Sequence, residues 1–161
     1  MNSSKKKENI GYLLLAVIAV LVLSVIVSLA PIEQDQTYHN FSDIREFLKI
    51  PNFWNVISNL PFLIVGVLGV YRLRSGDIVK NQFIIFFIGI AAVSFGSAYY
   101  HLNPNNETLV WDRLPMTIGF MALFSALVSE YINDRFGKLL LIPALTIGLS
   151  SVLYWVFIND L

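Results

Sequence analysis

Five long apolar windows free of Asp, Glu, Lys and Arg constrain this chain more than any other feature: residues 10–30, 53–71, 82–100, 114–129 and 139–158. A helix needs about 20 residues at ~1.5 Å rise each to cross a ~30 Å hydrocarbon core. Four windows meet that length, and the fourth in order reaches it by running on through Glu130 to Ile132. The composition agrees. Of 161 residues, 56% are hydrophobic and 14% charged, against about a quarter charged in soluble domains. The mean hydropathy is +0.65. The predicted fold class is therefore all-α, a multi-pass transmembrane bundle forming one membrane domain over residues 1–161. Its predicted spans lie at about 10–30, 53–73, 82–100, 114–132 and 139–158, and residues 31–52 form the longest connection.

Basic residues set the expected orientation. With a cytoplasmic N-terminus the inside segments hold Lys5, Lys6, Lys7, Arg72, Arg74, Lys80, Arg135 and Lys138, eight in all, while the outside ones hold Arg45, Lys49 and Arg113, three. The first apolar run is longer than the 7–15 residues usual in a signal peptide, so it is expected to be retained as a span. Eleven basic and eleven acidic residues cancel, and no basic cluster alternates with aromatics as in a nucleic-acid groove; no nucleic-acid partner is expected. The chain has no cysteine, which excludes disulfides, thiolate metal sites and cysteine nucleophiles. In the outer connection, "SDIREFLKI" reads as a short amphipathic surface helix. Ser42 would cap it, with Ile44, Phe47 and Leu48 at i, i+3 and i+4.

Polar side chains inside the spans must find partners, so their helical phase matters. Asn55, Ser58 and Asn59 share one face near the start of the second span, where Pro61 is expected to bend the helix. Ser94, Ser97 and His101 share one face of the third span, and Ser97 and His101 stand one turn apart. Asp112 would open the fourth span at the same depth, ahead of Pro115 in a first turn. Serine in a membrane helix commonly bonds its own backbone, and asparagine commonly joins helices; chemistry follows only if the groups act together. Together they supply parts of a metal-assisted hydrolase: an imidazole to ligate zinc, a carboxylate to take a proton from water, and a hydroxyl to donate to an oxyanion. One histidine cannot hold zinc, however, since a catalytic site uses three protein ligands plus water. The other histidine, His39, lies in the outer connection. "NNET" at residues 105–108 also matches a glycosylation sequon.

The stretches "NFWNVISNLPF", "FGSAYYH" with its S-x-x-x-H pattern, and "WDRLPM" with Asp112 eleven residues after His101 resemble the alkaline ceramidases. That family shares a superfamily with the adiponectin and progestin receptors. The resemblance covers roughly residues 38–161, and the longer run "YHNF...IPNFWNVISNLPFLIVG...GSAYYHL...WDRLPMT" is similar to the bacterial branch. It implies a seven-helix core, a bound zinc and hydrolysis of the ceramide amide to a sphingoid base and a fatty acid. In that pattern His101 matches the first metal ligand, Ser97 the serine beside the metal and Asp112 the aspartate that handles the attacking water.

The departure from the family is the H-x-x-x-H pair of its last helix, which supplies two further zinc ligands and has no counterpart here. The expectation is a truncated product or half of a split gene, inactive as it stands, rather than a complete five-span protein that has lost catalysis. Eukaryotic members of that family also hold calcium in an acidic segment ahead of the FWN stretch; here that region offers Asp43 and Asn52 but few other acids, so calcium is doubtful. The implied partners are membrane lipids and a lipid amide such as ceramide, with another amide or an ester open as substrate. The implied location is the bacterial inner (plasma) membrane, with the site near the outer face. The alternatives are a non-catalytic lipid-binding or receptor-like membrane protein of the same fold, and a structural remnant. The sequence does not specify an oligomeric state.

Overall fold

The computed structural model describes residues 3–29, 33–73 and 78–158. Among the described residues six α-helices follow one another: α1 (Ser3–Ser28), α2 (Phe53–Ile57), α3 (Leu60–Arg72), α4 (Ile78–Leu102), α5 (Asn106–Tyr131) and α6 (Asp134–Ile158). With α2 and α3 counted as one broken span, five segments among the described residues are long and apolar enough to cross a membrane. The protein is an all-α membrane bundle. Arg74, counted in the charge balance, lies outside the described residues, as do residues 30–32 at the junction of the first span and the long connection that follows it.

Helix α5 packs between α4 and α6, and α3 packs against α4. Small residues allow this. Ala122 and Ala126 of α5 are fully buried, and a Cβ built at Gly89 of α4 would lie 2.7 Å from the Gly119 nitrogen of α5. Close backbone approach is how helices gain packing energy in lipid, where the hydrophobic effect between them is absent. No residue in the most apolar stretch of α1 is buried. Its N-terminal part is tied to the start of α6 instead: the Asn133 side chain donates to the Glu8 carboxylate at 2.6 Å, and Tyr12 meets Phe136 edge to face at 5.3 Å.

Near the same end, a buried amide joins three helices. Gln82 of α4, with no exposed surface, donates to the Ser125 hydroxyl and to the Gly137 carbonyl at 3.3 Å, and accepts from the Ser129 hydroxyl at 3.2 Å. Ser125 also donates to the Gly137 carbonyl at 2.9 Å. Both ends of the amide are satisfied, as a polar group inside a bilayer requires.

Of the boundaries that differ from expectation, three have a clear local reason. α5 starts at Asn106, well before Asp112, because Asn105 forms a reciprocal capping box with Thr108; Pro115 therefore lies inside the helix rather than in its first turn. α6 starts at Asp134, where the Asn133 side chain accepts from the Phe136 amide at 2.8 Å. The second span breaks at Ser58 and Asn59 and restarts with Pro61 at the head of α3, where proline's missing N–H removes no helical bond.

The amphipathic helix expected at "SDIREFLKI" is not formed. Phe47 and Ile50 pair across a tight turn whose central residues, Leu48 and Lys49, have φ of 52° and 63°, the left-handed values of a type I′ turn. Asp43 acts on α2 instead. Its carboxylate accepts from the Trp54 amide at 3.1 Å and pairs with Arg45, so it caps a helix whose own N-cap, Asn52, makes no side-chain capping bond.

Candidate functional site

Ser97 and His101 lie in the last two turns of α4, and Asp112 lies in the second turn of α5. The structure brings the three together. Ser97, 8% exposed, and Asp112 line the same cavity, and the Asp112 carboxylate is near enough to the Ser97 hydroxyl and the His101 imidazole to interact electrostatically with both. Nδ1 of His101 is buried with no hydrogen-bond partner. A buried polar nitrogen without a partner is costly, so this atom is the open valence of the cluster.

The α4–α5 contact that makes this possible has its own sequence logic. Pro115 has no N–H, so the carbonyl of Trp111, four residues earlier, lacks its usual helical partner. That oxygen faces Gly96, the neighbour of Ser97, where a Cβ would overlap it. Glycine and proline together let the two backbones touch beside Ser97 and Asp112.

Residues 33–52 cover His101 from above. Phe41 stacks at a tilt on the imidazole, with centroids 4.7 Å apart, and the Asn52 amide donates to the His101 carbonyl at 2.8 Å, satisfying one of the free carbonyls at the end of α4. His39 holds this cover in place. Its Nδ1 lies 2.8 Å from the Tyr100 hydroxyl and its Nε2 2.8 Å from Oδ1 of Asn106, which fits the tautomer with its proton on Nε2. Arg113 adds a further tie, donating to Gln34 at 2.6 Å while lying 4.0 Å over the Trp155 ring.

These contacts separate the remaining candidates from the cluster. Both His39 nitrogens are engaged, so His39 is a strut. Asn106 and Thr108 of the sequon are engaged by His39 and by the capping box. Asn59 is buried, but its amide bonds the Asn55 carbonyl at 2.9 Å; Asn55 donates to the Asp43 carbonyl; and Ser58 is exposed. That face stitches the α2–α3 break. Sequence reasoning did not assign Phe41, Tyr100 and Gly96, and it weighed Asn52 only for calcium, although "YHNF" and "PNFWN" fall within the family-like run.

From Ser97 and Asp112 a cavity of about 370 Å³ runs between α3, α4 and α5. Beyond that polar pair its lining includes Phe62, Phe86, Ile90, Val93, Met116 and Phe120. The twelve residues of α4 from Phe86 to Ser97 span ~16 Å at helical rise, about half of a ~30 Å hydrocarbon core.

The chain belongs to the ceramidase family, whose model matches residues 47–161. Neither a curated protein nor a solved structure gives a match. The residues fit a metal in part. His101 offers a buried nitrogen with no competing hydrogen bond, as a ligand should. Among the described residues, though, no three His, Cys, Asp or Glu side chains come together, and the chain has only two histidines. Its residues supply one imidazole and a carboxylate nearby, short of the three protein ligands of a catalytic zinc. Of the two residues weighed for calcium, Asp43 pairs with Arg45 and accepts from the Trp54 amide, and Asn52 donates through its side-chain nitrogen to the His101 carbonyl.

Proposed function

We propose that this protein is the site-bearing part of a zinc-dependent hydrolase of lipid amides, with ceramide or a related N-acyl lipid as substrate. The observation that carries the reading is the Ser97–Asp112 pair at the polar end of an apolar cavity, beside an imidazole nitrogen with no partner. Family membership supports the same chemistry. His101 is the one zinc ligand that this chain contributes. When bound, zinc would supply a Lewis acid next to the amide carbonyl. Asp112 takes the proton of the attacking water, and Ser97 offers its one O–H to the developing oxyanion. The cavity receives an acyl chain from the bilayer. The N-terminus is cytoplasmic in a bacterial inner membrane, which places the site near the outer face.

A second reading, lipid binding without turnover, is favoured by the incomplete donor set. Co-expression of the chain with a helix carrying the family's H-x-x-x-H pair separates the two. The hydrolase reading expects stoichiometric zinc and release of fatty acid from a fluorescent ceramide analogue, both lost in His101→Ala. Zinc uptake without turnover would favour the binding protein, and zinc content indifferent to His101→Ala would sink the assignment of His101.

A further inference from the structure

Farthest along the helices from Ser97 and Asp112, the cavity is lined by Phe86, Gly119 and Phe120. Gly119 of α5 is buried and lines the cavity, two helical turns from Asp112, or ~10 Å at helical rise. Its backbone lies against Gly89 of α4, as the Gly89 contact shows. A Cβ at Gly119, however, would meet nothing nearer than the Phe86 carbonyl at 3.9 Å and the Phe86 ring at 4.0 Å. The backbone contact and the open direction are thus on different sides of the same residue. A methyl group fits there, while a longer side chain must enter the space bounded by Phe86 and Phe120.

We infer that Gly119, with Phe86 across from it, sets the length of the acyl chain that the site accepts. This rests on the lipid-amide reading above and adds a specificity determinant to it. The occupant is a linear acyl chain because the cavity is polar only at Ser97 and Asp112 and apolar along the rest of its length, parallel to the helices. An amide linkage at the polar end can donate to or accept from that pair, while the chain beyond it lies among phenylalanine, isoleucine, valine and methionine side chains. Each methylene buried there strengthens binding roughly fourfold, from ~0.8 kcal/mol per buried methylene.

The test is equilibrium binding of N-acyl amines of graded chain length to the purified 161-residue chain in lipid nanodiscs, by competition against one radiolabelled long-chain amide. Gly119→Leu is expected to bind the shortest amides as the wild type does and to weaken by roughly fourfold for each methylene denied burial in the longer ones. Gly119→Ala is expected to keep the wild-type thermal midpoint. Phe86→Ala is expected to move the preferred length upward, and it decides the matter by itself should Gly119→Leu fail to fold. Wild-type binding that grows with chain length, with the same length profile in the folded variants, would overturn the role of Gly119 and leave the lipid-amide reading standing. No binding of any amide to the wild type would overturn both.

Discussion

Gly96 of α4 lies against the carbonyl oxygen of Trp111 on α5, with no room for a side chain between them. This contact sets the distance between the helices that carry Ser97 and Asp112. Gly96→Ala is therefore expected to lower folded stability by about 1–3 kcal/mol, the usual effect of overpacking. Gly119→Ala on the same helix pair, where a Cβ finds only ordinary contacts, should leave stability nearly unchanged. Denaturant unfolding of both variants in mixed micelles checks the contrast. Equal losses would mean that the Gly96 contact has no special role.

Asp112 and Ser97 are expected to separate kinetically in the zinc-loaded, co-expressed assembly. Asp112→Asn should retain metal and lose on the order of 10² to 10⁴ in turnover, the usual contribution of a general base. Ser97→Ala should lose ~10² to 10³ if its hydroxyl stabilises the oxyanion. If both groups only pack helices, thermal stability would fall while turnover per folded molecule stayed constant. Measuring both quantities on each variant distinguishes the two cases.

Acid should loosen the cover over His101. The guanidinium of Arg45, with the Trp54 amide, holds the Asp43 carboxyl below the usual carboxylate range, and the Thr37 amide and hydroxyl do the same for Asp35. A depressed folded-state value means that the contribution is fully present above the ordinary aspartate value of about 3.9 and is lost as pH falls through the lower folded value. Hydrogen exchange at the Trp54 and Thr37 amides should thus be flat near neutrality and lose protection below about pH 4, after allowance for intrinsic exchange rates. Asp43→Asn should remove the acid-dependent step at Trp54, and a step that persisted would point to another group.

Orientation can be read by cysteine labelling. Glu46→Cys, in the exposed outer connection, should react with a membrane-impermeant maleimide added to cells with a permeabilised outer membrane, and Arg135→Cys, at the exposed start of α6, should not. The reverse pattern would place the cluster on the cytoplasmic side.

Much of the architecture was legible because lipid imposes one rule on every span: a long apolar run with no charge reads as a helix whatever its neighbours. The Ser97–His101 spacing was legible for the same reason, since i and i+4 share a face. The α5 start was not, because Pro115 is a strong first-turn signal while the Asn105 capping box is set by a quieter pair. Asp43 illustrates a second limit. The local pattern around Ser42 favoured a helix, yet the Asp43 carboxylate is taken by an amide eleven residues away. His39 and Asn52 reach partners 49 to 67 residues distant, a pairing that periodicity does not encode.

The Gln82 junction bears on biogenesis. Two of the hydrogen bonds that satisfy its neighbourhood end on the Gly137 carbonyl of α6, and its remaining partners lie on α5. All of these partners follow α4 in the chain, so the Gln82 amide is satisfied within the bundle only once both α5 and α6 have packed against α4.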